Sequence, residues 1–151
     1  KSAGFTLVEL LLVLVIVAAG AAIAVPRYSS SLTRARLDSA TRQLVQRLNF
    51  ARATARATSS EVSVTLDAEG PVTISGLPAS YGSGVEARVG SGTIDLTADP
   101  FRLESVVTSF PTGSAITFDA FGRSNTGGAE LHLGGGKRVV MVDANGGIRS
   151  D

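Results

Sequence analysis

The sequence has no cysteine, no tryptophan and a single histidine, and only 5% of its residues are aromatic. Without cysteine there is no disulfide and no thiolate metal site, so stability has to come from an apolar core. The lone His132 lies between Leu131 and Leu133 on a predicted strand, where an outward-facing or hydrogen-bonded ring is the simplest reading. No serine sits in a G-x-S-x-G elbow. Gly134 to Lys137 lacks the spacing and the following helix of a phosphate loop. Asp143, Asn145 and Asp151 only faintly suggest a calcium loop: a glycine holds the third ligand place and no distal glutamate follows. The expectation is a chain that is not an enzyme, with no catalytic residue, no metal and no cofactor. Net charge is also nearly absent, at +1. That balance hides an asymmetry. Arg27, Arg34, Arg36, Arg42, Arg47, Arg52 and Arg56 share one segment, opposed there only by Asp38, and the rest of the chain is net acidic.

What the sequence does have is a long apolar run. From Leu10 to Val25 there is no charge. Counted from Phe5 to Val25, a helix rising ~1.5 Å per residue is about 30 Å long, which matches the hydrocarbon core of a bilayer. Glu9 stands at the amino end of that run. A carboxylate inside an apolar span costs about 2.5–3.5 kcal/mol on insertion scales, which makes it a functional candidate. The plainer alternative is a membrane anchor whose glutamate lies at headgroup level. In a secretory signal peptide the small-residue cleavage site would follow the apolar run; here the glycine precedes it.

Gly4-Phe5-Thr6-Leu7-Val8-Glu9 resembles the processing site of the type IV pilin superfamily, which includes the pseudopilins of type II secretion. The resemblance implies cleavage by prepilin peptidase between Gly4 and Phe5, methylation of the Phe5 amine, and assembly roles for Thr6, Glu9 and Pro26. A free α-amine has a reference pKa of ~8 and is mostly cationic at neutral pH. Pairing it with Glu9 of a neighbouring subunit would relieve two charges that are costly among apolar helices, and would fix the axial step. Lys1 is not methionine, and further leader residues are expected before it. Flanking charges alone would place the arginine side in the cytoplasm. The resemblance implies the reverse: a single-pass inner-membrane protein with its head in the periplasm.

The expected organisation is a leader remnant at 1–4, a transmembrane helix at 5–28, an amphipathic periplasmic stem at 29–57 and a β-rich head at 58–151. Pro26 is expected to kink or weaken the helix, and Ser29 to Ser31 to be its soft point. Tyr28 suits a membrane–water interface. Leu37, Leu44, Leu48, Ala51 and Ala55 recur at steps of seven, four, three and four, with Ala40 and Val45 widening the face. That face predicts packing on a sheet, with the arginines mainly elsewhere. They read as a solvated face, or as a basic stripe for acidic neighbours or nucleic acid. Thr58-Ser59-Ser60 ends the helix.

From Glu61 the period becomes two. Val62, Val64 and Leu66 predict a strand, Asp67 to Pro71 a turn and Val72 to Ile74 the returning strand. Gly76 to Gly84 reads as a loop, Val85, Ala87 and Val89 as a strand, and Thr93 to Leu96 as another. Thr97 to Val107 carries no clear pattern, although Asp99-Pro100 favours a turn and Phe101, Leu103 and Val106 offer core. Ile116 and Phe118 define a strand ending at Asp119-Ala120-Phe121-Gly122. Val139 to Val142 is a nearly continuous apolar run, predicting a strand covered on both faces, and ends at Asp143-Ala144-Asn145-Gly146. Strand–Asp-Ala-x-Gly therefore occurs twice, ending near Arg123 and Arg149; the glycine supplies positive φ, and Asp or Asn bonds the turn backbone. Met141 and the phenylalanines read as core.

Phe118, Asp119 and Gly122, then Arg138 to Val142, Gly146 and Arg149 resemble the carboxyl-terminal pattern of the minor pseudopilin H group, the GspH/FimT family. The implied fold is α+β: a long amino-terminal transmembrane helix packed on an antiparallel β domain of two sheets. The implied role is a minor pseudopilin near the tip of the periplasmic pseudopilus, with other pseudopilins, the peptidase and inner-membrane lipid as partners. The alternative is a FimT/FimU-like minor pilin that contacts DNA, with Arg123, Lys137, Arg138 and Arg149 as candidate contacts to a partner or to phosphate.

Overall fold

The computed structural model describes residues 6–77, 93–111 and 113–151, with only the backbone for 23–26. Helix α1 (Leu7–Thr58) is 52 residues long, about 78 Å at the standard rise. Thr6 caps its start in an extended conformation. Ser59 ends it in the left-handed region (φ 50°), its N–H bonding the Ala55 carbonyl. α1 runs through Pro26 and Ser29–Ser31 as continuous helix. The hydroxyls of Ser30 and Ser31 both donate to the Arg27 carbonyl at 3.0 Å, and Thr33 donates to Ser29 at 3.1 Å. These back-bonds satisfy the hydroxyls within the helix, an arrangement that slightly weakens or bends it.

Strands follow as β1 (Val62–Leu66), β2 (Pro71–Ser75), β3 (Ile94–Asp95), β4 (Ser105–Thr108), β5 (Ala115–Phe118), β6 (Gly127–Leu133), β7 (Gly136–Val142) and β8 (Ile148–Ser150). They form two antiparallel sheets, ordered β3-β2-β1-β5 and β4-β6-β7-β8. The predicted hairpin is present, with Val64 opposite Ile74. The strand expected at Val85, Ala87 and Val89 lies outside the described residues, as does the loop from 78 to Gly84. Strand β4 emerges from the stretch without a pattern, and Phe101, Leu103 and Val106 are buried as expected.

The core lies between the lower half of α1 and the inner faces of the sheets. Leu37, Ala40, Leu44, Leu48, Ala51 and Ala55 are all at most 2% exposed and cluster with Val62, Val64, Leu66, Ile116, Phe118, Leu131, Val140 and Val142. Each fully buried leucine contributes about 1.5–3 kcal/mol relative to exposure. The arginines lie mainly off this face, with one exception. Arg47 is buried, and desolvation holds its guanidinium below the usual value.

Strand β7 corrects the expectation of burial on both faces. Val140 and Val142 are buried, whereas Met141 is 58% exposed. Helix α1 covers one face only, and the period of two turns Met141 outward. Met141 is therefore not core. Neither is Phe121, which is 72% exposed in its turn, although Phe101, Phe110 and Phe118 are buried.

Candidate functional site

Three features present chemistry. The first is the tip of α1. Thr6 Oγ1 accepts the Glu9 backbone N–H at 3.3 Å, and Thr6 O accepts from Leu10 at 3.2 Å. Thr6 and Glu9 thus hold the N-cap and N3 places of a capping-box spacing, a signal present in the sequence but read there only as a processing motif. The carboxylate of Glu9 lies in the first helical turn, where the backbone dipole favours negative charge. Leu7 to Val17 are exposed all round, so Glu9 heads an apolar rod with no covering surface among the described residues. Gly4 and Phe5 lie outside the described residues. Pro26 lies inside the continuous helix.

The second feature is a pair of matching turns. After β5, Asp119 N–H donates to Arg123 O (2.9 Å) and Gly122 N–H to Asp119 O (2.8 Å). The Asp119 carboxylate accepts from the N–H groups of Phe121 (2.9 Å) and Arg123 (2.8 Å). After β7, Asp143 N–H donates to Gly147 O (3.0 Å) and Gly146 N–H to Asp143 O (2.8 Å). The Asp143 carboxylate accepts from Asn145 (2.9 Å) and Gly147 (2.8 Å). Gly122 and Gly146 have φ of 75° and 74°, the left-handed geometry that glycine adopts without strain. The Arg123 N–H, more than any other group, holds the Asp119 carboxyl below the usual range; its guanidinium and the Phe121 N–H help, against some desolvation.

Sequence reasoning missed a third copy, Asp67-Ala68-Glu69-Gly70. Its backbone bonds match: Asp67 N–H to Pro71 O (2.9 Å) and Gly70 N–H to Asp67 O (3.0 Å). Its carboxylate accepts from Glu69 N–H at 3.3 Å. The second such bond cannot form, because Pro71 has no N–H.

Arg52 joins the first two turns to the helix. Its Nε donates to Gly122 O at 3.1 Å and an Nη to Asn145 O at 3.0 Å. Ser124 closes the same junction, its N–H on Ala144 O and its hydroxyl on Asp143 O. A Cβ at Gly146 would collide with the Gly122 carbonyl. One helix residue therefore fixes the ends of β5 and β7, one from each sheet.

The third feature is the set of basic candidates. Arg123 pairs with Asp119 at 2.9 Å, its guanidinium 5.2 Å from the Phe121 ring centroid. Lys137 and His132 approach one oxygen of Glu130, at 3.6 and 3.4 Å. Arg138 turns to the helix and binds Asp38 at 2.9 and 3.0 Å. Arg149 lies opposite Met141. Arg123 and Arg149 thus lie toward one end of β7, and Lys137 and Arg138 at the other. Among the described residues no group of three or more His, Cys, Asp or Glu is arranged to hold a metal ion.

A family model described as Type II transport protein GspH matches residues 40–146. A second, the prokaryotic N-terminal methylation motif, matches residues 1–25. Among solved structures, the type IV minor pilin FimU of Pseudomonas aeruginosa is similar in two crystal forms, P65 and P21, each at 21% identity and a TM-score of 0.53. The matches cover 76% and 78% of this chain and 92% and 90% of FimU, and the likeness is one of fold. No curated protein matches.

Proposed function

The chain belongs to the GspH family and is a membrane-anchored, type IV pilin-like protein; from that premise we propose that it is a minor pseudopilin of type II protein secretion. In this reading, cleavage between Gly4 and Phe5 frees an amine that is then methylated. Residues 5–28 hold the protein in the inner membrane, 29–57 form the periplasmic stem, and 58–151 form a head near the tip of the pseudopilus. The partners are other pilin-like subunits. The observation that carries the proposal is the position of Glu9: a lone acid in the first turn of an apolar helix uncovered among the described residues, heading a chain whose residues 40–146 match the GspH model. A charge so placed is stabilised by a cation from outside the chain, and the amine of a processed neighbour supplies one.

The test is a Glu9→Ala variant in the native host. Processing to Phe5 is expected to persist, the head to stay folded, and co-assembly with other pseudopilins to fail, with loss of protein export. Normal co-purification with those subunits would overturn the pairing.

A second reading is a type IV pilus minor pilin, the class of the solved structures that share this fold, with the exposed Arg123 and Arg149 offering it a DNA contact. Loss of surface pili rather than of export on deletion would favour it, as would salt-dependent DNA binding reduced by Arg123 and Arg149 substitutions.

A further inference from the structure

We infer that the cleft between the start of the exposed stem and the β6–β7 turn binds the phosphate of an anionic phospholipid headgroup; the inference rests on the reading that residues 5–28 lie in a bilayer. The cleft is about 460 Å³ and is lined by Ser29, Ser30, Thr33, Arg34, Gly134 and Arg138, among others. It follows the apolar run directly. Ser29 lies about 6 Å and Arg34 about 13 Å along the axis beyond Val25. The headgroup layer adds about 5–8 Å to each side of the hydrocarbon core. Side chains on a helix tilt toward its amino end, which here is the membrane side, so the Arg34 guanidinium reaches back to that layer.

The chemistry of the cleft suits phosphate. Ser30, Ser31 and Thr33 direct their hydroxyl protons to helix carbonyls, which leaves the guanidinium groups as the strong donors. Arg138 is engaged by Asp38, while Arg34 has no ion pair among the described residues. Glu104 takes up the Gly134 N–H at 3.1 Å, so two arginines stand against two acids, and Arg34 is the cation left to an outside anion. Gly134 and Gly135 have φ of 56° and 75°, and a Cβ at Gly135 would meet open space. Thr33 packs against Gly134 and Leu37 against Gly136, so the backbone open to a phosphate is that of Gly135. Arginine's planar fork matches phosphate oxygens in pairs.

The test uses the full chain in nanodiscs of phosphatidylcholine alone or of phosphatidylcholine with phosphatidylglycerol. The readout is amide hydrogen exchange across residues 131–139. Exchange is expected to slow about fivefold with phosphatidylglycerol, in line with one basic contact to an anionic surface. Arg34→Gln should abolish the slowing. Arg36→Gln should keep it, since Arg36 lines a different cleft beside Pro100 and Phe101. Equal exchange in both discs overturns this inference and leaves the anchor intact. So does an equal loss in both variants, which would mean diffuse attraction without a site. Protection by inorganic phosphate in phosphatidylcholine discs overturns the lipid assignment. A chain that enters neither disc overturns the anchor reading and this inference with it.

Discussion

Residues 7–22 and 37–55 lie on the same helix and are both rich in leucine and alanine, yet they meet opposite fates. The first segment is exposed on every side, and the second buries one stripe in the head. The first is apolar almost throughout, and the second carries its apolar residues along one stripe among polar ones. A helix apolar all round has no face to prefer and needs a surrounding medium. A helix with one apolar face is served by a single sheet. The same backbone therefore hands its upper half to lipid or neighbouring helices and its lower half to its own chain.

Leucine truncation is the strongest way to break that contrast. Leu48→Ala is expected to destabilise the head by about 2–5 kcal/mol, because it leaves a cavity under both sheets. Leu12→Ala should change head unfolding by less than about 0.5 kcal/mol. Urea unfolding in detergent measures both, and equal effects would erase the distinction. A glycine pair sharpens it with opposite signs. Gly146→Ala should cost at least about 1–2 kcal/mol, from positive φ and the clash with the Gly122 carbonyl. Gly20→Ala has nothing within 4 Å to meet and should make the stem up to about 1 kcal/mol more helical, read by circular dichroism. The smallest effect is on acid sensitivity. Asp119 has a depressed carboxyl pKa in the folded head. Its contribution is therefore complete above the unfolded value of ~3.9 and is lost as pH falls through the folded one. Asp119→Asn should lower head stability slightly across the neutral range and flatten the acid limb, so that the two proteins converge at low pH; an unchanged acid limb would count against the bonded carboxylate.

Much of this arrangement is legible in the residues. The spacing from Leu37 to Ala55 gives the buried stripe, and Gly122 and Gly146 give the turns, because both signals are local. The helix that continues through Pro26 and Ser29–Ser31 is less legible, since propensity is a weak prior. Met141 hides in an apolar run whose inward register depends on the partner strand and on α1. Arg52 reads as one arginine among seven. Its partners are 70 and 93 residues away, and no periodicity reports a contact of that range. The Asp67 turn carries the same four-residue signature as the other two, but proline follows it in place of arginine or glycine.

The junction at Arg52 has a mechanical corollary. Because one guanidinium holds the rim of both sheets above the stripe of α1 that packs beneath them, a pull on the stem is passed to the two sheets together.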